Sequence, residues 1–158
     1  GVHREEHLSK EGYKMKSFVI SWPSLGLKVN CEPISENKNV YDLFCENLPM
    51  KVLQGHEVVG GYMLRDRTVR FDKKPYDIKD AKEIAMNTAE EGSVFLTAAQ
   101  CGSGELVVKY GECVDNRGYI PFAKVSAEDM AALKKAGKAA WKSASRTKDI
   151  IISEIKGV

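Results

Sequence analysis

One histidine, His56, lies outside the first seven residues, which hold the other two, His3 and His7. Imidazole exchanges a proton near neutral pH, so His56 is the first candidate for acid–base work. It stands in the run Gly55-His56-Glu57-Val58-Val59-Gly60-Gly61-Tyr62. As an extended strand, two-residue periodicity places His56, Val58, Gly60, Tyr62 and Leu64 on one face and Glu57, Val59, Gly61, Met63 and Arg65 on the other. Adjacent glycines weaken a strand and are accepted where a ligand or another backbone needs the room. A bulge at a barrel corner, with His56 hydrogen-bonded in the rim, is the competing reading. Tyr62 is either a hydrogen-bonding or acidic group toward a substrate, or half-buried packing.

A second run, Leu106-Val107-Val108-Lys109-Tyr110-Gly111-Glu112, sets a lysine inside an apolar strand. Facing a barrel interior, Lys109 demands an anionic partner such as a ligand carboxylate; facing outward, it is a solvated strand residue. Arg65, Arg67 and Arg70 form either a cationic rim able to grip carboxylates in bidentate fashion or the charged side of an exposed strand. Other chemistries lack their signatures. Gly102-Ser103-Gly104 has neither the frame of a nucleophile elbow nor that of a phosphate loop, and no dinucleotide fingerprint exists, so no nicotinamide cofactor is expected. Cysteines at 31, 45, 101 and 113 match no zinc-ligand spacing, and Cys31 and Cys45 read as buried small hydrophobes; no metal site is expected.

These residues must be positioned by a mostly β architecture. Residues 1–15, polar and patternless, read as a mobile arm or an oligomer-crossing strand. From residue 16 the chain alternates: 17–22 and 27–31 form a hairpin around Pro23 and Gly26. Residues 37–48 predict a helix capped by Asn37 or Asn39, with Val40, Leu43, Phe44 and Leu48 on one face and Pro49 as its stop, packed across a barrel mouth. Two extended runs then flank Asp66, a charged stretch follows at 72–80, and 82–88 reads as a short helix or loop. Residues 93–98 and 105–110 pair around a glycine-containing loop, and 120–125 form a last strand. Ser126 with Asp129 opens a helix to about residue 145. Its small residues Ala136, Gly137, Ala139 and Ala140, with Trp141, predict close approach of another helix and a homo-oligomer built through it. Residues 147–155 fit a strand or a helix. The expectation is mainly β (α+β): a barrel domain at 16–125 and a helical tail at 126–158.

At 158 residues the chain has the size of one domain, with no need of disulfide or metal staples. Charge is nearly balanced, 24 basic against 22 acidic groups, which argues against nucleic acid or a membrane surface as the main partner. No apolar stretch approaches the roughly 20 residues a bilayer requires, and the charged start lacks a signal region. The cytoplasm is the expected compartment.

The order of segments resembles the bacterial cyclophilin-like small-barrel proteins over residues 16–125. A strand pair is followed by an Asn-begun helix ending at Leu48 and Pro49. Gln54-Gly55-His56 leads into Val59-Gly60-Gly61, then come Glu91-Gly92-Ser93-Val94 and the closing Val107-Val108-Lys109-Tyr110-Gly111. The Phe-His-Arg style run of prolyl isomerases is missing. With its basic helical tail the chain looks like the cucumopine and mikimopine synthases of this group, opine synthases that join histidine to 2-oxoglutarate. The resemblance implies imine formation followed by a Pictet-Spengler-type ring closure on two carboxylate-bearing substrates. It implies that Lys109 and Arg65 hold the carboxylates and that His56 and Tyr62 serve as acid and base, with Glu57 or Glu105 in reserve. Gly60, Gly61 and Tyr110 then line the substrate.

Overall fold

The computed structural model describes residues 17–70, 80–97 and 103–158. The arm, the charged stretch at 72–79 and the loop at 100–102 lie outside the described residues, as do the side chains of Arg67 and Arg70.

Ten strands are present among the described residues: β1 (Phe18–Trp22), β2 (Leu27–Pro33), β3 (Met50–Leu53), β4 (Gly55–His56), β5 (Gly61–Arg70), β6 (Ile84–Ala85), β7 (Ser93–Leu96), β8 (Ser103–Cys113), β9 (Gly118–Val125) and β10 (Ile152–Gly157). All described pairings are antiparallel. The order is β3-β10-β1-β2-β9-β7-β8-β5-β4, with β6 laid on β9. Its two ends are consecutive in the chain. Only Gln54 separates β3 from β4, so one continuous segment pairs with β10 through its first half and with β5 through its second. The sheet thereby curls into a nearly closed barrel, and few of its backbone groups are left on an open edge.

The hairpin β1–β2 turns at Gly26, whose φ of 64° is a conformation glycine adopts without a Cβ penalty. Helix α1 (Lys38–Glu46) buries Val40, Leu43 and Phe44 as its periodicity predicts. The Phe44 ring lies 5.1 Å from Phe18 and 5.0 Å from Phe122, forming an aromatic centre to the core. Truncating Phe44 to alanine costs about 3–5 kcal/mol at such a site. Asn37 does not cap with its side chain. It occupies a left-handed conformation, and its amide instead accepts from Lys82 N–H and donates to the carbonyls of Lys82 and Pro121.

Helix α2 (Met130–Lys142) is preceded by a single 3-10 turn (Ala127–Asp129), and Asp129 accepts from the backbone and side chain of Asn30. The small residues Ala136, Gly137 and Ala140 are buried against the chain's own barrel. A Cβ on Gly137 would overlap the Tyr110 ring. Close approach is therefore real, but the surface approached is the barrel wall rather than a second helix, so this face is not free to build the oligomer expected of it. Past Lys142 the helix widens into one π turn (Ser143–Thr147), and the chain then re-enters the sheet as β10, between β1 and β3. Residues 126–158 thus supply an interior strand of the barrel as well as a helix. Alternation of Ile151, Ser153 and Ile155 toward the core explains why this segment is a strand.

Candidate active site

The sheet registers sort the candidate residues onto two faces. His56 pairs with Leu64 across β4 and β5, while Leu64 and Asp66 pair with Val108 and Leu106 across β5 and β8. Directly opposed residues share a face, as do residues two apart, so His56, Asp66 and Tyr110 all point to the barrel interior. The same registers pair Arg65 with Val107 and Met63 with Lys109, which places Arg65, Lys109 and Glu105 on the outer face. There they join a second cluster made of Met63, Met86, Phe95, Val107, Cys113 and Tyr119.

On the interior face, His56 Nδ1 lies 2.6 Å from the Glu57 carbonyl and Nε2 lies 2.6 Å from the Tyr110 hydroxyl. A carbonyl only accepts, so Nδ1 carries the proton; Nε2 is then the acceptor for Tyr110 O–H. Burial lowers the His56 pKa against the opposing pull of the Glu57 carbonyl and carboxylate, which keeps the ring neutral at pH 7. Burial, with the neighbouring Tyr62, pushes the Tyr110 phenol up to about 12. Trp141 from α2 lies 5.0 Å from the His56 ring, and Tyr62 lies 5.8 Å from the Tyr110 ring. Both are open to solvent, at 42% and 55%, so this aromatic wall has a wet side.

Asp66 was read in the sequence only as the divider of two runs, and it is the most unusual group on this face. It sits within one unbroken strand, is 4% exposed, and one of its carboxyl oxygens has no partner among the described residues. Burial drives its pKa up to about 8, opposed only by a hydrogen bond from the Gly55 N–H. A carboxyl held near neutrality can both give and take a proton at physiological pH. In the sequence Asp66 stands between Arg65 and Arg67, where an acid reads as one of a row of surface charges.

The outer face accounts for the other expected site residues differently. Arg65 is buried and already paired with two carboxylates, Glu57 at 2.7 Å and Glu105, while its NH2 also donates to Tyr119 Oη at 2.7 Å. It holds protein carboxylates, and its terminal nitrogens are not free for a substrate. Lys109 is buried too, but neither anticipated reading applies. Its Nζ donates to the backbone carbonyls of Met86 at 3.1 Å, Asn87 at 3.4 Å and Ala89 at 2.7 Å, so all three N–H bonds are satisfied without an anion. Lys109 clamps the 3-10 turn Met86–Thr88 onto β8. Glu57 likewise serves the protein. Its buried carboxylate is pulled below the usual range by Arg65 and by the N–H groups of Val58 and Val59, which together outweigh burial.

The run 55–62 is not one strand. Residues 57–60 turn the chain between β4 and β5, leaving Val58 and Val59 exposed, so strand alternation fails there and Tyr62 does not follow His56 inward. The glycines are needed for backbone rather than ligand. Gly61 has φ of 132°, and a Cβ there would lie 2.5 Å from Cys113 Cα. A Cβ on Gly60 would press on Met63 and Glu57, and the Gly60 carbonyl accepts from Val114 N–H at 2.8 Å. No group of three or more candidate metal ligands occurs among the described residues, and no described helix is long and apolar enough to cross a membrane.

No family model matches the chain, and no curated protein matches it. Among solved structures, the fold is similar to that of McbB in complex with tryptophan, with a TM-score of 0.73 and 26% identity over 89% of this chain and 44% of that one. The chain spans less than half the length of McbB.

Proposed function

We propose that this barrel is a condensing enzyme that joins an aromatic amino acid to a 2-oxo acid by imine formation and Pictet-Spengler-type ring closure. Histidine and 2-oxoglutarate are the pair implied by the resemblance to cucumopine and mikimopine synthases. The observation that carries the reading is the hydrogen-bonded pair His56 and Tyr110 on the interior face, a face that Asp66, with one carboxyl oxygen unpartnered among the described residues, shares. McbB bears on the substrate class, since it was solved with tryptophan, an amino acid carrying a planar ring.

The chemistry asks for one proton lent and one returned. The amine adds to the ketone carbon, the resulting hydroxyl leaves as water after protonation, and a carbon–nitrogen double bond forms. A ring carbon then bonds to that iminium carbon, and the ring proton leaves to restore aromaticity. The sum releases one water and transfers no electrons, so the reading needs no nicotinamide. Asp66, protonated, gives its proton to the departing hydroxyl; as carboxylate it takes the ring proton and is reset. Tyr110, whose own proton is donated to His56, offers an oxygen that accepts from the iminium N–H. Trp141 and Tyr62 supply faces on which a planar ring can stack. Arg65 and Lys109 are not assigned to the substrate carboxylates, because on the outer face the terminal nitrogens of Arg65 bind Glu57, Glu105 and Tyr119 and Lys109 Nζ binds three backbone carbonyls.

Purified protein incubated with 2-oxoglutarate and either histidine or tryptophan, without nicotinamide, tests this directly. A product of the summed mass less one water, made faster than in buffer and lost in Asp66→Asn, is expected. Product formation at the buffer rate with both amino acids overturns the assignment.

A further inference from the structure

We infer that the buried Arg65–Glu57 ion pair on the outer face is a positioning device for His56 on the inner face, acting through the backbone carbonyl of Glu57; the inference rests on His56 serving the condensation proposed above. Glu57 is fixed at three points. Its N–H donates to the Met63 carbonyl at 3.0 Å, its carboxylate binds Arg65 at 2.7 Å, and its Oε1 accepts from Val58 N–H at 3.1 Å and more weakly from Val59 N–H at 3.4 Å. Together these lock the first half of the turn at 57–60. The fourth group of the residue, its carbonyl, is thereby aimed at His56 Nδ1.

That aim decides which ring nitrogen carries the proton. In a free imidazole the proton favours Nε2, and Nε2 protonation here would set a donor against the Tyr110 hydroxyl while leaving Nδ1 facing the Glu57 carbonyl without a hydrogen between them. The fixed carbonyl therefore forces the Nδ1–H form, which turns Tyr110 O–H toward His56 and leaves the Tyr110 oxygen as an acceptor. Arg65 is held in turn by Glu105 and by Tyr119, whose ring also lies under its guanidinium, 5.4 Å from the centroid. The ion pair lies on the outer face and hydrogen-bonds neither ring nitrogen, so beyond the through-space pull of its carboxylate on the ring it acts by where it holds one carbonyl.

The test is the imidazole nitrogen signature of His56 in long-range proton–nitrogen spectra at neutral pH, assigned by its loss in His56→Gln; the chain has only three histidines. Wild type is expected to show a protonated Nδ1 and an unprotonated Nε2. Glu57→Ala, still folded by its amide spectrum, is expected to shift both nitrogens toward the averaged values of a mobile ring. Glu57→Gln keeps an oxygen for the Val58 and Val59 N–H groups but loses the ion pair with Arg65, and is expected to shift the nitrogens part of the way toward the Glu57→Ala values. A folded Glu57→Ala protein with the wild-type signature overturns the inference. Should Glu57→Ala not fold, Arg65→Gln carries the test with the same two outcomes. Because this readout needs no substrate, a fixed tautomer that is lost in these variants stands even if no condensation product is found, and the two ideas fail separately.

Discussion

Asp66 makes a contribution of its own to the pH behaviour of the molecule. Its carboxyl titrates at 3.8 in the reference state and at about 8 when folded. Between those values the folded chain keeps a proton that the unfolded chain releases, so the contribution of Asp66 to stability is fully present below about pH 4 and is lost as pH rises to about 8, by on the order of a few kcal/mol. Asp66→Asn removes that dependence: its melting temperature is expected to exceed that of the wild type at pH 8 and to match it near pH 4. The same change is expected to cut turnover roughly 10²- to 10⁴-fold, and wild-type turnover should fall above about pH 8 as the acid form is lost. His56 could be singled out from the sequence because histidine is scarce and chemically distinctive. Asp66 could not, because an acid in a strand reads as a surface residue until a register shows which way it points. Lys109 was conspicuous for the same reason, yet the carbonyls that neutralise its importance to a ligand come from residues 86–89, some twenty positions away.

At the scale of elements, the site depends on how closely α2 sits against β8. Gly137→Ala drives a methyl group into the Tyr110 ring and is expected to cost about 1–3 kcal/mol while displacing the hydroxyl from His56. Thermal melting and turnover should therefore fall together. Trp141→Ala separates the two: the ring is 42% exposed, so melting should change little, whereas KM for the aromatic amino acid should rise roughly three- to tenfold with the lost stacking. The helix and its small-residue face were legible from the 3.6-residue periodicity. Its partner was not, because periodicity identifies a face without naming what covers it. The turn at 57–60 was hidden for a related reason: apolar Val58 and Val59 look like strand interior, and only the pairing of Gly55 with Arg65 shows the chain reversing there.

For the whole molecule, the hairpin β1–β2, α1 and the strands β7 to β9 followed from alternation and breakers, and the barrel with its packed helix was expected. Its closure was not, since it depends on β10 inserting between β1 and β3, a pairing of residues about a hundred positions apart for Ile152 and Leu53. Removing residues 150–158 is expected to abolish cooperative melting, because β1 and β3 lose the strand between them and Ile155 leaves the core. Removing Val158 alone should leave the transition intact, which calorimetry of the two truncations can distinguish.

The continuity of β3 with β4 through Gln54 has a further consequence during synthesis. While residues 152–157 are still inside the ribosome, β3 has no strand to lie against, and the segment that carries His56 is anchored on one side only. A nascent chain can hold its aromatic centre around Phe18, Phe44 and Phe122 and yet lack a settled imidazole. Any catalytic power at His56 then appears only once residues 152–157 have been released, so activity would stay silent in chains truncated before them.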